Sequence, residues 1–163
     1  MTEDNIQLEL PEPVFSLLNT SRGGLPAVVV VNGALLNFPH LEIFPWRLSI
    51  KVSYSVFAEN EMPTVGEQEI LNSISDKIEA AVLGSLTEFG SINTLFVARS
   101  TWAGTRELIF HVHDPDRADS TLQTLLGNED WRRDWAYEMQ HDPEWNDASA
   151  FLYLFSNAIG DGN

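Results

Sequence analysis

Between residues 47 and 56 the chain alternates without a break. Leu48, Ile50, Val52, Tyr54 and Val56 point one way, and Arg47, Ser49, Lys51, Ser53 and Ser55 point the other. A helix would scatter both sets around its axis, whereas a strand sorts them onto two faces. One apolar face and one wet face predict an antiparallel strand near 47–56. The rest of the chain has to supply a core for the apolar face.

The next segment changes period. Ile70, Ile74, Ile78, Val82 and Leu86 recur every four residues, the spacing of one helix face. Thr64-Val65-Gly66-Glu67 ahead of them reads as a capping box, in which hydroxyl and carboxylate each satisfy an orphan N–H. Gly84 and Gly90 mark the end of a helix over 66–87. Strands follow over 92–100 and 106–112, joined by a loop at 101–105. In the second, Leu108, Phe110 and Val112 face one side, and Glu107, Ile109, His111 and His113 the other. Asp114-Pro115 supplies an N-cap and a first-turn proline for a helix over 116–126, closed by Gly127. Trp135, Tyr137 and Met139 share one face of a strand over 134–141. Asp142-Pro143 starts a last helix, lined by Trp145, Ala148, Leu152 and Phe155. Near the beginning, the run Ala27–Val31 stops at Asn32-Gly33, the preferred pair of a type I′ hairpin, with 34–37 returning antiparallel.

The central order is therefore strand, helix, strand, strand, helix, strand. That order predicts an α+β fold with a ferredoxin-like split βαβ antiparallel sheet. An N-terminal hairpin extends it, a C-terminal helix follows it, and the two inner helices cover one face. Residues 1–24 read as an acidic, loosely ordered segment in which Val14, Phe15, Leu17 and Leu18 mark a short strand or turn of helix, 25–158 as a single α+β domain, and 159–163 as a flexible tail.

Composition narrows the function classes. A chain of 163 residues with 44% hydrophobic content is long enough for one self-sufficient core. It has no cysteine, which removes disulfides, thiolate nucleophiles and Cys-ligated zinc. The start is acidic and lacks the apolar stretch of a signal peptide, and Ala27–Val31 is too short to span a bilayer. A cytoplasmic location is the expectation. The 24 Asp and Glu outnumber 9 Lys and Arg, giving a net charge of −15. Such a field opposes nucleic acid and anionic membranes, which are bound through Lys and Arg. It favours a basic protein partner, although solubility alone accounts for most of the acids. The oligomeric state is left open.

Several segments carry a resemblance. The Val-rich run before Asn32-Gly33, the alternation over 47–56, Gly104-x-Arg106-Glu107-Leu108-x-Phe110, and above all Asp142-Pro143-Glu144-Trp145 resemble the bacterial family known as domain of unknown function 695, over roughly residues 20–156. Such domains tend to carry an aromatic residue three positions after the tryptophan, where this chain has Ala148. The family name implies no activity. The resemblance does imply a ferredoxin-like fold, similar to regulators that inhibit a bacterial endoribonuclease, and a fold does not fix a function.

His111-x-His113-Asp114 is the most catalytic-looking cluster, because residues two apart on a strand share a face and two imidazoles can share a metal. A metal-dependent hydrolase built on it is the alternative function. It wants a third ligand, and His141 lies on a strand that the expected order does not place next to 106–112. Histidines on a wet or helix-covered face are the stronger reading, so neither metal nor cofactor is expected. Asp114-x-Asp116-x-x-Asp119 fails as a calcium loop at Ala118 and at Asp119, where glycine is required. Arg106 beside Trp102 is a candidate anion frame, weighed against an exposed hairpin charge as the stronger reading. Trp131 and Trp135, around Arg132 and Arg133, are candidate interface anchors or, more readily, core plugs. The stretch from Glu107 to Asp147 holds eleven acids and three arginines. Within it, Glu129, Asp130 and Asp134 are the candidate contacts for a basic protein. No nucleotide loop, nucleophile elbow or zinc-protease motif occurs. A non-enzymatic binding or regulatory module is the expected function.

Overall fold

The alternating segment becomes a strand one place in from an edge of the sheet. The computed structural model describes residues 10–161, with side chains described through residue 156. In chain order the elements are β1 (Phe15–Arg22), β2 (Leu25–Asn32), β3 (Trp46–Ser53), α1 (Val65–Leu83), β4 (Thr94–Trp102), β5 (Thr105–Val112), α2 (Pro115–Gly127), β6 (Trp135–His141) and α3 (Asn146–Asp161). The strands form one sheet in the order β1-β2-β4-β5-β3-β6, with every neighbouring pair antiparallel. The fold is α+β. No helix among the described residues is long and apolar enough to cross a membrane.

The front face of the sheet follows the sequence reading. Leu48, Ile50 and Val52 of β3 and Tyr54 just after it are buried with Leu71, Ile74 and Ile78 of α1 and Ala118 and Leu122 of α2. Thr64 caps α1, its Oγ1 accepting the Glu67 N–H at 3.2 Å. Asp114 caps α2 by accepting from the N–H groups of Asp116 and Arg117. α1 stops at Leu83, so Leu86 falls beyond it and pairs with Ile92 in an isolated bridge.

The back face differs from its expectation. Val29, Val31, Ala98 and Ile109 meet Phe38, Phe44, Trp145, Ala148 and Leu152 in a second core. Because α3 and the 33–45 connection cover this side, Ser49 is 1% exposed and His111 is 0% exposed. Alternation in β3 records polarity, and a small hydroxyl or a neutral imidazole is compatible with burial once it has a bonding partner.

The Asn32-Gly33 hairpin does not form. Asn32 has φ −84° and its side chain caps a short 3-10 turn over Gly33–Leu35, while its Nδ2 donates to the Phe96 carbonyl at 3.1 Å. The Val-rich strand pairs backward instead, with β1 across Gly23 (φ 57°) and Gly24 (φ 82°). Ala103 (φ 48°) and Gly104 (φ 90°) likewise make a two-residue turn between β4 and β5. Both turns have two consecutive positive φ values, the geometry that matches strand twist. Residues 15–22, where a short strand or turn of helix was expected within the acidic N-terminal segment, are the first strand. α3 continues to Asp161, through the start of the expected flexible tail. Residues 1–9 and 162–163 lie outside the described residues.

Candidate functional site

His111 projects from β5 into the back core. Its Nδ1 sits 2.8 Å from the Phe44 carbonyl, so that nitrogen carries the proton, and Nε2 is buried without a partner. Burial lowers its pKa from 6.5 to about 4, against the opposing pull of the Phe44 carbonyl. His113 is exposed, with Nδ1 2.7 Å from the Ile43 carbonyl. His141 pairs across β3 with Trp46, which pairs with Val112 of the front core. Its ring packs 4.9 Å from that of Trp46, so His141 and His111 lie on opposite faces of the sheet. Asp114 is occupied in capping α2. Among the described residues no three His, Cys, Asp or Glu side chains are arranged to hold a metal ion. The residues of the hydrolase alternative therefore do not converge.

The turn into α3 explains why His111 is enclosed. Asp142 donates its N–H to the Pro45 carbonyl at 2.7 Å, and its Oδ1 accepts the Asn146 N–H at 3.1 Å. Trp145 then takes φ 58°, a conformation uncommon for a bulky residue. Its indole is 0% exposed and donates Nε1–H to the Phe44 carbonyl at 2.9 Å. Ala148, one turn on, is fully buried in the same cluster. The chain matches a family of unknown function over residues 17–153, from the first strand into the last helix. It belongs to that family, DUF695. No curated protein and no solved structure matches it. In this DUF695 domain the Asp142-Pro143-Glu144-Trp145 segment is an architectural corner, where a cap and a buried indole set α3 across the sheet.

Arg106 is a correction. It is 4% exposed, not a free hairpin charge, and its Nε and one Nη donate to Thr101 Oγ1 at 3.0 Å and Asn72 Oδ1 at 2.7 Å. Burial lowers its pKa from 12.5 to about 10, with Arg99 adding to the effect. Arg106 pairs with Thr101, one residue out of phase with Trp102, so the guanidinium and that indole face opposite sides of the hairpin. Arg22 takes the place over the Trp102 ring, 4.3 Å from its centroid.

The 128–135 connection is locked from within. Arg133 donates through Nε to Glu67 Oε2 at 2.7 Å and through Nη2 to Oε1. The same carboxylate accepts the Ser55 N–H at 2.9 Å. These bonds hold the pKa of Glu67 down at about 2, the Arg133 contact foremost and against the opposing effect of burial. Only half of the expected capping box forms: Glu67 gives its backbone N–H to Thr64, but the Thr64 N–H donates to the Val56 carbonyl at 3.3 Å and the Glu67 carboxylate joins three chain segments instead. An acid in phase with Leu71, Ile74 and Ile78 was the sequence signal that its charge is neutralised inside. Trp135 is buried and Trp131 half-buried, edge to face at 5.3 Å, with Lys77 5.7 Å over the Trp131 ring. Both indoles plug the front core. A cleft of about 480 Å³ beside this lock is lined by Thr64, Glu67, Glu69, Arg132 and Arg133, whose central charges already neutralise one another.

The acidic residues lie outside this lock. Glu129 is exposed and bonded to Lys77 at 2.8 Å, while Asp130 and Asp134 are exposed at the entry to β6. Along and beyond that edge strand, Glu138 and Glu144 are exposed, as are Asp116 and Asp119 on α2. The candidate functional surface is this acidic rim around β6.

Proposed function

We propose that this DUF695 domain is a non-catalytic cytoplasmic binding module that engages a basic protein along its α2–β6 edge, on a ferredoxin-like frame. The frame reading is supported by the order β4-β5-β3-β6, in which β3-α1-β4 and β5-α2-β6 interlock with α1 and α2 on one face. The observation that carries the binding reading is a segregation of charge. Arg106 is buried, Arg133 is held by Glu67, Arg99 reaches Glu79 at 3.4 Å, and Arg47 reaches Asp147 at 3.1 Å. These four cations are buried or held in ion pairs, while Asp116, Asp130, Asp134 and Glu138 remain exposed; Arg117 and Arg132 are exposed cations at the same edge. A basic partner meets carboxylates with few competing cations, and nucleic acid meets repulsion.

Affinity capture from a bacterial extract, followed by association kinetics with the purified partner, tests this. Reversing Asp130, Asp134 and Glu138 to Lys should slow association about tenfold at low salt and less at high salt. An association rate indifferent to the triple reversal refutes the electrostatic reading.

A further inference from the structure

The two edges of the sheet are built differently. β6 carries Glu138 and enters through Asp134, and edge charges of this kind discourage a second chain from pairing. Among the described residues β1 has no such guard. From Pro13 to Ser21 it has no charged residue, and Arg22 is the only Lys, Arg, Asp or Glu between residues 13 and 41 of a chain whose net charge is −15.

The register of β1 shows which groups it offers. Arg22 faces Leu25 across the two-residue turn, and the Val14 carbonyl accepts the Gly33 N–H at 2.8 Å. Antiparallel ladders alternate between residues turned toward the partner and residues turned away. Even-numbered residues therefore face β2, and the N–H and C=O groups of Phe15, Leu17, Asn19 and Ser21 point out of the sheet. Pro13, which lacks an N–H, ends this outward row. The side chains of the same residues lie on the front face. Leu17 pairs with Val30, which pairs with Arg99, and Arg99 reaches Glu79 on α1. Phe15 packs edge to face on Phe96 of the front core, 5.7 Å away. Phe15 and Leu17 are nonetheless 60% and 63% exposed.

We infer that β1 pairs antiparallel with β1 of a second copy of this chain, about a two-fold axis normal to the sheet, making one continuous twelve-stranded sheet. An isologous contact presents the same patch twice, so each copy supplies outward backbone groups and a front-face Leu17 to the other. Charge selects this occupant. Two chains of −15 repel, and they approach with least repulsion through the hairpin whose only formal charge is one arginine. The acidic rim at β6 stays at the far ends of the assembly, so the contact is separate from the proposed partner surface.

Sedimentation equilibrium of the full chain from micromolar to sub-millimolar concentration reads the contact directly. The wild type should shift from the 18.3 kDa chain toward twice that mass as concentration rises. Leu17→Lys should sediment as a single chain with an unchanged circular dichroism spectrum. Asn19→Pro removes one outward N–H without adding charge and should have the same effect, which keeps the test decisive if Leu17→Lys fails to fold. Glu138→Ala, on the opposite edge, should leave the dimer intact. A wild type that remains monomeric throughout overturns the inference. So does a dimer that persists in the combined Leu17→Lys, Asn19→Pro variant, or one that Glu138→Ala dissociates.

Discussion

The imidazole of His111 lies flat against the indole of Trp145, with centroids 4.2 Å apart and planes 16° apart, and both rings donate to the carbonyl of Phe44. One acceptor thus serves two donors from elements that the chain makes 34 residues apart. The stack ties β5 and α3 to the connection between β2 and β3.

Burial keeps the stacked imidazole neutral, because its charged form is penalised away from water. The folded-state pKa of about 4 lies below the ordinary 6.5, so the unfolded chain binds the proton first as pH falls. The stability due to a neutral His111 is fully present above pH 6.5 and is lost as pH falls toward 4, to the extent of about 2–3 kcal/mol. Urea unfolding between pH 7 and 5 should show this slope, and His111→Phe should flatten it. An equal slope in that variant assigns the effect elsewhere.

Glu67 titrates in a lower window. Its folded pKa of about 2 lies below 4.5, so its contribution is present above pH 4.5 and is lost as pH falls toward 2. Glu67→Gln should cost about 2–3 kcal/mol at pH 7, because it leaves Arg133 without its counter-charge next to the core. The same variant should be nearly insensitive to pH in that acid range. Denaturant midpoints across the two windows separate the two groups.

Arg106 should behave in the opposite way. It is desolvated, and among the described residues no carboxylate lies within ion-pair distance of it. Arg106→Met keeps most of the volume and removes a buried charge, so stability should stay within about 1 kcal/mol of wild type. A loss of several kcal/mol would mean that the bonds to Thr101 and Asn72 outweigh the desolvation cost.

Trp145→Ala should be the most damaging of these changes. It opens a void in the back core and leaves His111 without its stacking partner, a loss of about 3–5 kcal/mol. For a chain of this length that lowers Tm by about 10 °C, as scanning calorimetry would measure.

How far these features could be read in advance depended on periodicity. β3 and α1 announce themselves because each has one regular face against the front core. β1 does not, since an edge strand packs on one side and its Phe15 and Leu17 stay exposed, so no alternation marks it. The back core was hidden because Ser49 and His111 read as wet until α3 is laid over them. The lock between Glu67 and Arg133 spans 66 residues, and no local spacing reports a contact of that range. Capping by Thr64 and Asp114 was legible because it is local. The candidate acids at 129, 130 and 134 were legible as charge, but only the fold shows that Arg106 is buried and that Arg133 is held by Glu67.

Because α3 follows every strand of the sheet along the chain, the second hydrophobic layer stays open until α3 has been made. Val29, Val31 and Ile109 are synthesised long before Trp145 and Leu152 arrive to cover them. A nascent chain paused before Asn146 would present a sheet with one side bare, a surface that chaperones recognise and that sticks to its own kind. Shortening the chain ahead of Trp145 should therefore yield insoluble material and not a smaller folded domain.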